Sequence, residues 1–252
     1  TFGGIREVDA PAPARTNRLH GTSAGSMLVV GWSALGSRIL AELDAVATGP
    51  RTVDVAVDDA MVPANSLVAS AARLTVRFIA GADDPDHLVA LMEENGYDHV
   101  VVLGYRDALT PAHADARTLL TLLTLSGVRG RARVVAEVLD SRDAIIAERT
   151  GADDLVVSDQ LSSLMIAQLT ERPELNHVLG ELFHATGASI SLRPADLYVA
   201  AGSVPYATVV AAARAQDQVA LGYRLAGGQV VLNPPKSATV TLSPDDQVVV
   251  LA

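Results

Sequence analysis

Cysteine is absent from this chain, and lysine occurs once, at Lys236. The first absence removes disulfide frameworks, thiolate zinc sites and cysteine nucleophiles together. The second removes a phosphate-binding P-loop, because the segment NPPKS has no G-x-x-x-x-G-K before it, and a Tyr-x-x-x-Lys reductase pair. No G-x-S-x-G elbow and no H-E-x-x-H pair occurs. The six histidines (His20, His87, His99, His113, His177 and His184) are scattered without ligand spacing. Basic charge is scarce: 19 Lys and Arg stand against 29 Asp and Glu, a net charge of −10, which excludes nucleic acid from the expected partners. No apolar run approaches the roughly 18–20 residues that span a bilayer, and no signal-peptide pattern is present. The chain starts at Thr1, which leaves open a longer parent with membrane segments ahead of it.

With 49% hydrophobic residues in 252, there is ample material for a buried core. Residues 1–25 are rich in Gly, Pro and Ala and read as a linker. From Met27, short Val/Ile/Leu runs alternate with helical periods. Strands are expected at Met27–Val30, Val53–Val57, Leu74–Ile79, His99–Leu103, Arg133–Val138 and Leu155–Val157, and helices at Ala34–Val46, Pro85–Asn95, Pro111–Leu125, Arg142–Arg149 and Gln160–Thr170. Asn95-Gly96, Ser126-Gly127 and Gly151 read as helix stops. This alternation predicts an α/β fold, a Rossmann-like doubly wound parallel sheet over residues 26–172. Residues 173–187 read as one further helix, and 188–252 as a small α+β subdomain with a helix from Pro205 and four short strands.

The segment MLVVGWSALGSRIL places a strand, a glycine turn and a helix start in succession. Unpaired amides and the helix dipole make such a start receptive to anions. The dinucleotide fingerprint G-x-G-x-x-G is incomplete, since Ser33 replaces the second glycine between Gly31 and Gly36. Gly31, Trp32, Ser33, Gly36, Asp58 and Asp59 are the candidate nucleotide contacts; the two acids close the second strand, where a ribose-binding acid belongs, or simply end it in solvent. Asp83, Asp84 and Asp86 crowd the turn GADDPDHL and serve either a hard cation or the cap of the helix opening at Pro85. Glu137 and Asp140 end the fifth strand on the ligand-binding edge, with helix capping the alternative for Asp140. Asp83, Glu137 and Asp140 are the candidate metal ligands. Leu161, Leu164, Met165 and Leu169 recur at helical spacing and serve either core packing or a subunit interface.

The run VVGWSALGSRIL resembles the opening of regulator-of-potassium-conductance (RCK) domains, and VVLNPPKSATVTLSPDDQVVVLA resembles the close of their second subdomain. From Arg133 onward, VVAEVLDSR, VVSDQLSSLMIAQL, NHVLGELF, LRPADLYV and VALGYRLA are similar to the CASTOR/POLLUX family of cation channels. The resemblance implies a cytoplasmic, non-enzymatic gating domain that pairs through helices near residues 160–187. It further implies a homo-oligomer, from a dimer to a tetrameric or octameric ring, acting on a membrane pore domain N-terminal to this chain. Family members bind NAD or another adenine nucleotide at the glycine turn, or Ca2+ through acids after the fourth and fifth strands. After the fourth strand this chain has Gly104, Tyr105 and Arg106 before Asp107, which leaves Glu137 as the clear counterpart. Two other readings stay open: a stand-alone NAD-dependent Rossmann oxidoreductase, and a regulator that binds a cyclic dinucleotide in residues 188–252.

Overall fold

A computed structural model describes residues 25–47, 49–62, 71–81, 83–183 and 188–252. The expected linker therefore lies, except for Gly25, outside the described residues. The chain divides into two units at Asn176/His177.

The larger unit is a six-stranded parallel sheet. Its strands are β1 (Met27–Val30), β2 (Arg51–Val57), β3 (Leu74–Ala80), β4 (His99–Val102), β5 (Arg133–Val138) and β6 (Asp154–Val157), in the order β3-β2-β1-β4-β5-β6. The order reverses at β1, which pairs with β2 on one side and β4 on the other, so Val29 stands level with Val55 and Val101. β1 is buried along its whole length, as the unbroken apolar run MLVV requires of a strand covered on both faces. Helix α1 (Ala34–Val46) covers one face, where Leu40 joins Val29, Val53 and Val55. Helices α2 (Pro85–Asn95), α3 (Pro111–Val128) and α4 (Ser141–Arg149) cover the other, where Leu88, Met92, Leu122, Leu125 and Ala147 meet Leu28, Val100 and Val134.

Local sequence sets most element ends. Asp84 caps α2, accepting the Asp86 N–H at 3.1 Å with Pro85 in the first turn, and Gly96 ends the helix in a left-handed conformation. The expected stop at Ser126-Gly127 does not occur. α3 continues through Gly127 to Val128, and Gly130, at φ +55°, turns the chain instead. One helical glycine costs about 1 kcal/mol, which packing along an 18-residue helix absorbs. β6 runs without an intervening residue into α5 (Ser158–Glu171), and α6 (Leu175–Phe183) follows. Among the described residues, no helix is long and apolar enough to cross a membrane.

The smaller unit contains β7 (Ile190–Pro194), β8 (Gly202–Pro205), α7 (Tyr206–Arg214), β9 (Val219–Arg224), β10 (Val230–Leu232), β11 (Thr239–Leu242) and β12 (Gln247–Leu251). An antiparallel sheet β10-β9-β12-β7 and a ladder β11-β8 enclose a core of Tyr206, Val209, Val240, Leu242, Val248 and Val250. Strands β7 and β8 are not among the four expected from the sequence; β8 is short and carries Gly202 and Pro205. Asp246 ties the turns together by accepting the Ala226 N–H at 2.7 Å and the Ser243 N–H at 2.6 Å.

Asp54, on β2, is a buried charge of the parallel sheet. It accepts two bonds from Arg77, both at 2.6 Å, and one from the Tyr97 hydroxyl at 2.6 Å. Burial pulls its pKa upward, but the Arg77 and Tyr97 bonds outweigh burial and hold it below the usual 3.8. Ser243 and Ala226 amides act likewise on Asp246. Folded-state values below the unfolded one make these groups stabilising above pH 3.8, a contribution lost as pH falls below it. We expect urea stability to fall on moving from pH 5 to pH 3. Asp54→Asn should lower stability at neutral pH by about 2 kcal/mol and flatten that acid decline. An unchanged decline in the variant would remove Asp54 from the account.

Candidate functional site

The carboxyl ends of β1, β2 and β4 meet at the glycine turn. Gly31 leaves β1 at φ +82°, and a Cβ there would stand 2.2 Å from the Leu103 carbonyl oxygen. Its N–H donates to the Ala56 carbonyl at 2.9 Å, while the Leu103 N–H donates to the Val30 carbonyl at 2.8 Å. Trp32 and Gly36, expected among the nucleotide contacts, do something else. The Trp32 ring is buried edge-to-face against Phe78, with centroids 5.2 Å apart, and a Cβ on Gly36 would come within 2.7 Å of that ring. Gly36 makes room for an indole rather than for a pyrophosphate.

Ser33 occupies the N-cap of α1 in an extended conformation, yet its hydroxyl makes no capping bond. It is buried and has no hydrogen-bond partner. The first helical amide, Ala34 N–H, donates instead to the Asp107 carboxylate at 2.6 Å. The anion-receptive helix start is thus answered by an acid from the chain itself.

Asp58 is answered in the same way. Arg117, on α3, donates from Nη2 to Asp58 at 2.8 Å and to Asp83 at 2.9 Å. The guanidinium also lies 5.0 Å over the Tyr105 ring. Tyr105 donates its hydroxyl proton to Asp83 at 2.6 Å and accepts the Asp58 N–H at 2.8 Å. Burial first, then the bond to Asp83, pushes the Tyr105 phenol far above its ordinary value, so it remains a donor. Asp59 stands exposed in the following turn. A cavity of about 480 Å³ opens beside this cluster, lined by Asp58, Asp83, Asp84, Arg117, Thr121 and Thr124.

The three candidate metal ligands do not converge. Asp83 belongs to the Arg117 and Tyr105 cluster. Glu137 is buried at the end of β5, where it accepts the Gly104 N–H at 3.3 Å, the Ser158 hydroxyl at 3.1 Å and the Arg106 guanidinium. Asp140 caps α4 by accepting the Arg142 N–H at 2.9 Å, and the Arg142 side chain holds its carboxyl down to about 2. Among the described residues, no three His, Asp or Glu side chains gather as a metal site. Each acid has gained a guanidinium where calcium would need it free.

Nor do the residues fit a dinucleotide as they stand. Asp107 stands on the α1 start, and Arg117 stands on Asp58. Sequence reasoning missed both, and also Tyr105. Asp107 lies 73 residues from the amide it binds and Arg117 lies 59 from Asp58, distances over which motif spacing says nothing.

On α5 no residue is buried. Leu161, Leu164 and Met165 are 49%, 55% and 38% exposed, and Leu169 is half-buried. Core packing, one of the two readings of this stripe, is not what the larger unit makes of it. Leu120 and Leu123 on α3 and Ile145 and Ile146 on α4 are exposed as well.

The chain is similar in sequence to plant ion channels. It is 29% identical over 202 residues to a probable ion channel POLLUX of Arabidopsis thaliana, covering 66% of this chain and 24% of that protein. It is 27% identical over 183 residues to the ion channel CASTOR of Lotus japonicus, covering 59% and 21%. The ion channel DMI1 of Medicago truncatula is 27% identical over 202 residues, covering 66% and 23%. The chain therefore spans about a quarter of the length of these relatives. No family model matches it. Among solved structures, the human SLO3 gating ring superimposes with a TM-score of 0.63 at 14% identity, over 90% of this chain and 44% of that one. The sequence resemblance to CASTOR/POLLUX channels is borne out, and so is the Rossmann-like fold with its second subdomain. These relatives are channels, not enzymes, and the oxidoreductase reading is set aside.

The backbone crossing at Gly31 generates a clear expectation. Gly31→Ala should cost about 3 kcal/mol, combining a left-handed alanine with a clash against backbone. Gly81→Ala, where a Cβ meets nothing within 4 Å at a similar positive φ, isolates the conformational part. Equal losses in urea unfolding would show that the Leu103 contact contributes nothing.

Proposed function

We propose that this chain is the ligand-sensing regulatory domain of a cation channel, lying on the cytoplasmic face of the membrane. Copies of it assemble into a ring that acts on a pore carried by the same protein. The observation that carries the reading is α5, a 14-residue helix with an apolar stripe and no buried side chain, in a chain similar to ion channels. An exposed stripe of this kind is stabilised by covering it, and a second copy presents the same stripe. A closed ring of more than two subunits needs two contact faces on each, and the exposed apolar residues of α4, Ile145 and Ile146, are candidates for the other. Residues 26–172 form the sensing lobe, 173–187 the crossover and 188–252 the second subdomain.

Such a module works through differential affinity. A ligand shifts the ring only as far as its affinities for two conformations differ. Moving from 1:99 to 99:1 takes about 5.5 kcal/mol, which several subunits supply jointly. The Gly31–Ser33 turn is where we place the ligand, with a phosphate-bearing adenine nucleotide the class suited to a helix start.

Solution mass tests the assembly. The chain should form dimers or larger species, and Met165→Glu should dissociate them while leaving the monomer's melting temperature within a few degrees. A chain that stays monomeric at high concentration, or a Met165→Glu variant that unfolds outright, would sink the interface.

A further inference from the structure

The loop from Leu103 to Thr110 holds two charged residues that face different partners. Asp107 accepts the Ala34 N–H at the start of α1. Its neighbour Arg106 donates to Glu137 and, at 3.0 Å, to the Ser158 hydroxyl, and Ser158 is the first residue of α5. Two buried hydroxyls next to this loop lack partners. One is Ser33, the N-cap residue immediately before the amide that Asp107 binds, only 2% exposed. The other is Thr118 on α3, also 2% exposed, whose Oγ1 lies 3.9 Å from where a side chain on Gly104 would begin. A buried hydroxyl without a partner is unfavourable, so each stands to gain from an acceptor brought within its reach.

We propose that Asp107 is a built-in competitor for phosphate-bearing ligands at the N-terminus of α1, and that its release is passed through Arg106 to Ser158 and α5. A phosphate oxygen seated on Ala34 N–H takes the position of the Asp107 carboxylate, and two anions do not share it. The Ser33 hydroxyl, idle while the carboxylate is in place, gains an acceptor. Asp107 leaves with its loop, and Arg106, bonded to it through one peptide unit, is drawn from the Glu137–Ser158 pair. The ligand is thereby coupled to the first turn of the exposed helix. The competition rests on placing a phosphate-bearing ligand at the Gly31–Ser33 turn, and its output on reading α5 as a subunit contact.

The test uses the whole chain with ADP as the probe. Calorimetry compares the wild type with Asp107→Asn, which keeps an acceptor for Ala34 N–H but drops the charge, and with Asp107→Ala, which removes both. ADP should bind about tenfold tighter to Asp107→Ala, with Asp107→Asn between. Amide exchange over residues 158–165 should speed up in ADP-loaded wild type and in ligand-free Asp107→Ala. Should the alanine variant lose its fold, the asparagine variant decides alone. Equal or weaker binding by the variants overturns the competition, as does an absence of binding in all three. Tighter binding with unchanged exchange at 158–165 overturns the coupling through Arg106. Loss of self-association in Met165→Glu is read separately by mass, so a failure here and a failure of the ring are distinguishable.

Discussion

The close crossing of two backbones at the end of the central strand is the constraint on which the rest of the larger unit depends. Gly31 lies so near the Leu103 carbonyl that no side chain can stand between them. The strand that opens the fold is thereby fastened to the strand that follows the sheet's reversal. The segment leaving β4 must then run directly across the start of α1. Tyr105, Arg106 and Asp107 reach Asp58, Glu137 and Ala34 because that backbone delivers them there. A looser turn would let the β4 loop pass at a distance, and the charges would face water.

Charge in this lobe is therefore an internal matter more than a surface one. The chain carries ten more acids than bases, yet Arg77, Arg106 and Arg117 spend their guanidinium groups on Asp54, Glu137, Asp58 and Asp83. Asp54 and Glu137 are buried, where an unmatched carboxylate is strongly unfavourable. The exposed pair Arg133–Asp154 adds little by comparison. Arginine suits such pairs because its planar fork holds one carboxylate by two bonds, as Arg77 holds Asp54 from Nε and Nη2.

What could be read from the sequence was what neighbouring residues decide together. Strands β1 and β5 and helices α1 and α2 begin and end where apolar runs, Pro85 and Gly96 place them. That Gly31 and Asp58 stand at the carboxyl edge of neighbouring strands was also legible, since a strand, a turn and an acid at a set spacing are local facts. Its contents were not. Whether Asp58 is free depends on Arg117, and whether the α1 start is free depends on Asp107, and both belong to a different crossover. Trp32 misled for a related reason: beside a glycine turn it reads as a contact, while the nearby Gly36 and the distant Phe78 make it core. The end of α3 was misplaced because a glycine inside a well-packed helix and a glycine ending one look alike in sequence.

The junction between β6 and α5 has a mechanical meaning. Val157 ends the strand and Ser158 opens the helix with nothing between them. A tether of several residues would let the helix swivel and dissipate any torque applied to it. A direct splice makes the edge strand and the helix one stiff arm, with the sheet as its mounting. A load on α5 would meet the sheet edge first, at β6, which is held to β5 by the parallel ladder from Val135 to Val138.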